Sequence, residues 1–320
     1  MDITVVPITQ DMFEPHIAEN TVPLLSKFAA QETAQTRNPY VRMLTPQIVQ
    51  KKLGYLKDDM NLRSALTEKR LRLFAQPIVS LDGKTDEGQS YEVLLRIEDR
   101  NGHMHSPFRY LQAARRYENM TAVDREVIAV FCDAYRDLYA HNPARLTTAS
   151  INLSGESMKD MKIVDYIDKR IQSCRNAGYR IDTNRITIEC TETIEEADFE
   201  KSIEVMKALK ELGFRLAIDD IGVGSSNARN ITILPADIFK IDMSFVKDLI
   251  HENPHTRYYA EEFISYIQKI AARKGVLTVA EGVENLSLDS RVREFGINKG
   301  QGYYYGRPEL LWKPGMHASR

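Results

Sequence analysis

Residues 217–224 read AIDDIGVG: an apolar run ends in two adjacent carboxylates, Asp219 and Asp220, and a glycine-spaced loop follows. Neighbouring anions repel, and in a low-dielectric site one is driven toward protonation unless a cation lies between them. An isolated Asp pair is explained by a solvated turn after a strand. This pair has company. Glu92 opens one apolar run, Asn152 lies late in another, and Glu189 and Glu192 end a third. Lys240 lies inside a fourth, Glu281 ends a fifth, and Gln301 begins a sixth. Singly, Glu92 reads as an exposed strand residue, Asn152 as a turn former, and Lys240 as a barrel lysine with a buried stem. Together these readings fail, because charged residues in strands buried on both faces are costly unless paired or metal-bound. These carboxylates and an amide oxygen form a hard-oxygen site suited to Mg2+ or Mn2+, with no His or Cys to suggest zinc. Two divalent cations would neutralise it, and one Asp bridging both is the usual form of a two-metal phosphoryl site.

The elements that must position these residues alternate. Apolar, β-branched runs occur at 72–81, 91–97, 147–154, 185–192, 215–221, 237–245, 277–284 and 300–306. Amphipathic segments lie between them, of which 200–213 stops at Gly213 and 261–275 stops at Gly275, glycine C-caps ahead of strands. Strand–helix units recurring at roughly 20–40 residues, about eight in all, predict a closed parallel β/α barrel rather than an open sheet. The first two runs are joined by SLDGKTDEG, too short for a crossover helix, so they should pair antiparallel. The expected fold is therefore α/β, a modified TIM (β/α)8 barrel with an antiparallel first strand, over residues 65–320. Residues 1–64 should form a mostly helical N-terminal segment, a regulatory cap, a linker or a dimerisation element. Pro7, Pro15, Pro23, Pro39 and Pro46 interrupt it, and helical spacing begins only at 58–70.

On these residues the chain resembles the EAL-domain cyclic-di-GMP phosphodiesterases. YEVLLR is similar to the family's E-x-L-x-R motif, with Val93 where Ala is usual. FAQPIVSL, SINLS, IECTE, AIDDIGVG, FKIDMSFV, VAEGVE and QGYYYGRP follow in the family's order across roughly residues 65–312. The resemblance implies Glu92, Asn152, Glu189 and Asp219 as ligands of a first metal. It implies Asp219 and Asp220 at a second, with Glu281 close by. It gives Lys240 the role of orienting and helping activate the attacking water, and Glu192 that of steadying the loop after the fifth strand. Gln76, Arg96 and Gln301 would contact substrate or organise the site. The implied reaction is hydrolysis of cyclic-di-GMP to linear pGpG with two Mg2+ or Mn2+ ions, Ca2+ being inhibitory, in a homodimer. The loop DDIGVGSSN departs from the pattern, with Ile221 for Phe and Ser225 for Tyr. Losing two aromatics removes packing that would hold it in one conformation. A catalytically weak or silent receptor for the same dinucleotide is the alternative reading. An enolase-type barrel enzyme would not reproduce these motifs.

Composition bounds the rest. A chain of 320 residues can bury a large core, and a net charge of −2 leaves no footprint for a nucleic-acid duplex. Cys132, Cys174 and Cys190 lack CxxC spacing and read as small apolar residues of a reducing compartment. The first residues lack a signal-peptide pattern and no apolar run is long enough to span a membrane, so a cytoplasmic location is expected.

Overall fold

The computed structural model describes residues 46–83, 90–141, 148–179, 181–191, 198–223 and 228–312. The chain divides between Asn61 and Leu62, and the second unit, Leu62–Arg320, carries the sheet. Helix α1 (Pro46–Thr67) starts well before the helical spacing at 58–70, at a proline that the first turn tolerates. From Leu62 onward its buried residues, Leu62 and Ala65, belong to the main core. Residues 1–45 of the expected N-terminal segment lie outside the described residues.

Strand β1 (Leu71–Ser80) pairs antiparallel with β2 (Ser90–Glu98), as the short connection requires. After the two-residue β3 (Met104–His105) come helices α2 (Phe108–Arg116) and α3 (Met120–His141). Then β4 (Thr148–Asn152), α4 (Lys162–Asn176), β5 (Ile186–Thr191), α5 (Phe199–Glu211) and β6 (Arg215–Ile221) alternate. They are followed by α6 (Ala228–Ile233), β7 (Ile238–Ile241), α7 (Met243–Asp248), α8 (Pro254–Lys274), β8 (Leu277–Ala280), α9 (Leu286–Glu294), β9 (Lys299–Gln301) and β10 (Glu309–Trp312). From β2 through β4, β5, β6, β7 and β8 to β9 every pairing is parallel. Strand β1 is antiparallel to both β2 and β9 and closes the ring, so the barrel has eight strands, with β3 and β10 appended at its edges.

The caps fall where the residue types put them. Gly275 closes α8 in the left-handed conformation (φ 68°), and Gly213 (φ 93°) turns the chain from α5 into β6. Asn253 caps the start of α8 with its side chain, and Pro254 takes the first turn.

Three strands end four or five residues short of their apolar runs. The sixth run gives β7 only to Ile241, because Asp242 accepts from the Ser244 N–H and starts α7. The seventh ends at Ala280, so Glu281 lies one residue beyond it. The eighth, expected over 300–306, ends at Gln301 instead. There Gly302 lies against Val283, whose carbonyl accepts from Tyr304, and a turn of Gly302 O with Tyr305 and Gly306 takes the chain away. Gln301 thus ends its strand rather than beginning it.

Side chains two apart on each strand share a face. The main core fills the space between the sheet's outer face and the helices. Inside the barrel a small apolar layer, Ile78, Ala217, Ile238 and Val279, comes from β1, β6, β7 and β8. The next inward positions on β6 and β7 are Asp219 and Lys240, and Glu281 follows just past β8, so the layer above is polar.

Candidate functional site

Lys240 stands at the centre of that polar layer. Its Nζ donates to Glu189 Oε2 at 2.7 Å and lies 2.7 Å from Glu281 Oε1, 3.0 Å from Asp219 Oδ1 and 3.6 Å from Glu92 Oε2. Glu92 of β2, Glu189 of β5, Asp219 of β6 and Glu281 just past β8 therefore present carboxylates to one ammonium that is 1% exposed. Glu92 is steadied from two further sides. Asn152 Nδ2 donates to its Oε1 at 2.7 Å, and Gln301 Nε2 donates to its Oε2 at 2.6 Å and to Gln76 Oε1 at 3.2 Å. Gln76 Nε2 in turn donates to Gly306 O at 3.2 Å, which ties the turn after β9 to β1.

The charge does not balance. Glu92, Glu189, Asp219, Asp220 and Glu281 face one lysine, and burial with mutual repulsion drives several toward the neutral form. Burial pushes Glu189 well above the usual carboxylate range, with repulsion from Glu92 and Asp219 adding to it and Lys240 opposing. Burial likewise raises Glu281 to about 8 and Asp220 to about 6, Asp219 repelling each. Glu92 moves the other way. Burial would raise it, but the Lys240 charge and the donors Gln301 and Asn152 outweigh that and hold it low. For Lys240 burial opposes the charge, and the surrounding carboxylates win, so the ammonium persists far above its ordinary range.

Such a site calls for protons or for cations. Asp219, Asp220 and Glu281 each place one oxygen within 4.8 Å of the others, a spacing that one divalent ion can span. Asp219 Oδ1 is buried and makes no well-directed hydrogen bond despite its 3.0 Å approach to Lys240, and Gln301 Oε1 is buried without a partner. Oxygen donors, excess negative charge and a buried carboxylate oxygen without a well-directed hydrogen bond fit a hard divalent cation. The oxygens of Glu92 and Glu189 are engaged differently, by Lys240, Gln301 and Asn152.

Backbone geometry marks the same spot. Asp220 is one of few non-glycine residues with positive φ (55°), and the β6–β7 register shifts between Ile218 and Ile221. The irregularity aims adjacent side chains away from strict alternation, at a strain that Asp tolerates better than most residues. Next to it Gly222 (φ 111°) packs so closely on Phe245 that a Cβ would lie 2.4 Å from the ring, which itself stacks on Phe263 at 4.0 Å between centroids. The start of the loop is therefore braced by an aromatic pair from α7 and α8, despite the missing aromatic at Ile221, which is fully buried.

The structure brings Gln76, Glu92, Asn152, Glu189, Asp219, Asp220, Lys240, Glu281 and Gln301 into one network. Arg96 shares the inward face of β2 with Glu92 but does not join it. Arg96 donates to Leu95 O at 2.8 Å and lies over the Phe74 ring at 5.7 Å. Glu192, Gly224, Ser225 and Ser226 lie outside the described residues. Asp242 is a residue that sequence reasoning missed. Its charge adds to the repulsion on Asp220, and the signal was its position as an Asp just before a helix.

Comparison with known proteins agrees with the geometry. A family model described as EAL domain matches residues 59–308. A relative from Shewanella oneidensis, named cyclic di-GMP phosphodiesterase PdeB, is 34% identical over 255 residues, covering 79% of this chain and 28% of the relative. A solved structure of the PaMucR phosphodiesterase in complex with c-di-GMP superposes with a TM-score of 0.68 at 25% identity, over 79% of this chain and 98% of that one. The FimX EAL domain from Pseudomonas aeruginosa bound to c-di-GMP gives 0.67 at 23% identity, over 79% and 96%, and supports the fold. The chain spans only 28%, 31% and 32% of the length of the first curated relatives it matches.

Proposed function

We propose that this chain, which belongs to the EAL domain family, hydrolyses one phosphodiester bond of cyclic-di-GMP to give linear pGpG. The observation that carries the reading is the convergence of Glu92, Glu189, Asp219 and Glu281 on Lys240 at one end of the barrel. Two divalent cations, Mg2+ or Mn2+, would supply charge for the phosphate and lower the pKa of a water. Glu92, Asn152, Glu189 and Asp219 would hold one. Asp219 and Asp220, with Glu281 beside them, would hold the other.

The chain's own groups have separable tasks. Lys240 is held as an ammonium by its carboxylates, so it cannot accept a proton at neutral pH. Its role is to donate to the attacking water and fix the direction of approach. The water's proton must go to a carboxylate, and Glu281, whose Oε1 lies 2.7 Å from Lys240 Nζ, is the group proposed to take it once the cations favour its ionised form. The water oxygen joins phosphorus as the bond to the ribose 3′ oxygen breaks, leaving the phosphate on the 5′ side of pGpG. Gln301 and Gln76 keep Glu92 in register, and Arg96 provides a guanidinium for a phosphate oxygen.

The same reading includes a helical linker or regulatory segment over 1–64 and an EAL-type barrel domain over 65–320, a homodimer and a cytoplasmic location. It also includes Glu192 as the anchor of the loop after β6. Among the described residues no helix is long and apolar enough to cross a membrane. The test is Asp219→Asn, which should abolish hydrolysis in Mg2+ while leaving the fold intact, since the loss falls on cation binding. Near-normal turnover of that variant at saturating Mg2+ would defeat the two-cation assignment.

A further inference from the structure

A cavity of about 590 Å3 lies on the outer face of β1, β2 and β4, opposite the site. Its origin is in the topology. The link from Ser80 to Ser90 is too short to lay a crossover helix over β1 and β2, so α3 and the segment around β10 flank this face instead. Ala75 and Pro77 on β1, Tyr91 and Val93 on β2 and Ala149 on β4 form the floor. Phe131 and Tyr135 of α3 form one wall, and Tyr305 with Leu310 the other. Two guanidiniums, Arg185 and Arg307, line the cavity at exposed positions, with one exposed carboxylate, Glu309. Arg185 lies 3.4 Å from Asp182, and Arg307 lies over the Tyr303 ring at 4.4 Å.

The volume falls in the range of small-molecule sites, and the lining mixes aromatic and aliphatic side chains with three charged groups at exposed positions. The floor also has a direct relation to the chemistry. Ala75 and Pro77 flank Gln76, and Tyr91 and Val93 flank Glu92. These outward and inward residues alternate on two strands that pair at Gln76↔Glu92. Gly306, whose carbonyl accepts from Gln76, lines the cavity as well. A molecule seated on this face presses on the strands that hold the Gln76–Gln301–Glu92 chain.

We propose that this cavity is an effector site for a small amphipathic anion, a ring or short acyl body with one carboxylate, sulfonate or phosphate head. The body lies on Ala75, Tyr91 and Ala149, and the head meets Arg307 and Arg185. The coupling half of the proposal rests on the proposed function; the binding half does not.

The full chain is titrated with 8-anilinonaphthalene-1-sulfonate by fluorescence, with decanoate as competitor. One saturable site per chain is expected, displaced by decanoate. Affinity should fall at least tenfold in Ala149→Phe, which fills the floor, and severalfold in Arg307→Glu, an exposed position that leaves the core alone. Probe binding should also change either Mg2+-dependent turnover or cyclic-di-GMP affinity by a factor of three or more, and not do so in Arg307→Glu. Absence of a saturable site, equal affinity in both variants, or binding that leaves both turnover and dinucleotide affinity unchanged overturns the proposal. A chain that binds the probe with the expected variant pattern and shifts dinucleotide affinity, yet never hydrolyses, keeps this site and refutes the phosphodiesterase reading alone.

Discussion

At the scale of the residue, Lys240 is the hinge of the account. It neutralises part of a buried anionic cluster, and removing it leaves Glu189 and its neighbours without their cation. Breaking a buried ion pair from one side costs about 3–5 kcal/mol. Lys240→Met should therefore destabilise the metal-free protein by about that amount in denaturant unfolding. It should also lower turnover by about 10²-fold or more, the usual scale for a lost preorganised hydrogen-bond donor. Unchanged stability would mean the carboxylates are already protonated in its presence. The cluster also sets a pH dependence in chelator-treated protein. Glu281 at about 8 and Asp220 at about 6 are raised above their unfolded values of 4.5 and 3.8, chiefly by burial. Each stabilises fully below its unfolded pKa, and that contribution is lost as pH rises through about 8 and about 6. Glu92, held low, acts with the opposite sign only on the acid side of 4.5. The melting temperature without metal should hence rise as pH is lowered from above 8 to 6, and saturating Mg2+ should flatten the trend by favouring the ionised forms. A melting temperature that falls over that interval in chelator contradicts the assigned shifts.

At the scale of the element, the barrel's strand ends do the positioning, and some of this was legible in the sequence. Alternation on β6 and β7 put Asp219 and Lys240 on one face with Ala217 and Ile238, and the nine residues between β1 and β2 required antiparallel pairing. Gly275 and Gly213 marked the ends of α8 and α5. Other features were not legible, because they depend on contacts between distant segments. The apolar run 300–306 reads as a strand until Gly302 meets Val283; a Cβ there would lie 2.0 Å from the Val283 carbonyl oxygen. Helix α1 begins at Pro46, where residue type alone suggested a break. The Phe245–Phe263 brace beneath Gly222 joins two helices that sequence spacing does not relate. That brace yields a prediction. Gly222→Ala faces both a left-handed φ and the Phe245 ring, so it should destabilise by about 1–3 kcal/mol and depress turnover through Asp220 two residues away. Adding Phe245→Leu should recover part of the stability, since it removes the clash and leaves the φ cost. Gly222→Ala melting at the wild-type temperature would show that the loop adopts another arrangement.

At the scale of the whole molecule, an eight-stranded ring with one reversed strand gathers an oxygen-rich, anionic site at one end and leaves a cavity outside its reversed corner. The family assignment covers residues 59–308, and the site within them is described by distances around a single ammonium. Together they predict which metals serve. Ca2+ accepts the same oxygens but with longer bonds and looser geometry than Mg2+. It should therefore support cyclic-di-GMP binding while hydrolysis stops, which equilibrium binding and turnover on one preparation will read. Calcium-driven turnover equal to that with Mg2+ would count against a reaction governed by close placement of the cations. The most direct measurement of the central claim is incubation of the purified chain with cyclic-di-GMP, with and without Mg2+ or Mn2+, followed by chromatographic separation of nucleotides. The account predicts stoichiometric conversion to linear pGpG that requires the metal and disappears in Asp219→Asn. Intact cyclic-di-GMP after saturating metal, with the dinucleotide bound to the protein, would contradict it and make the chain a receptor.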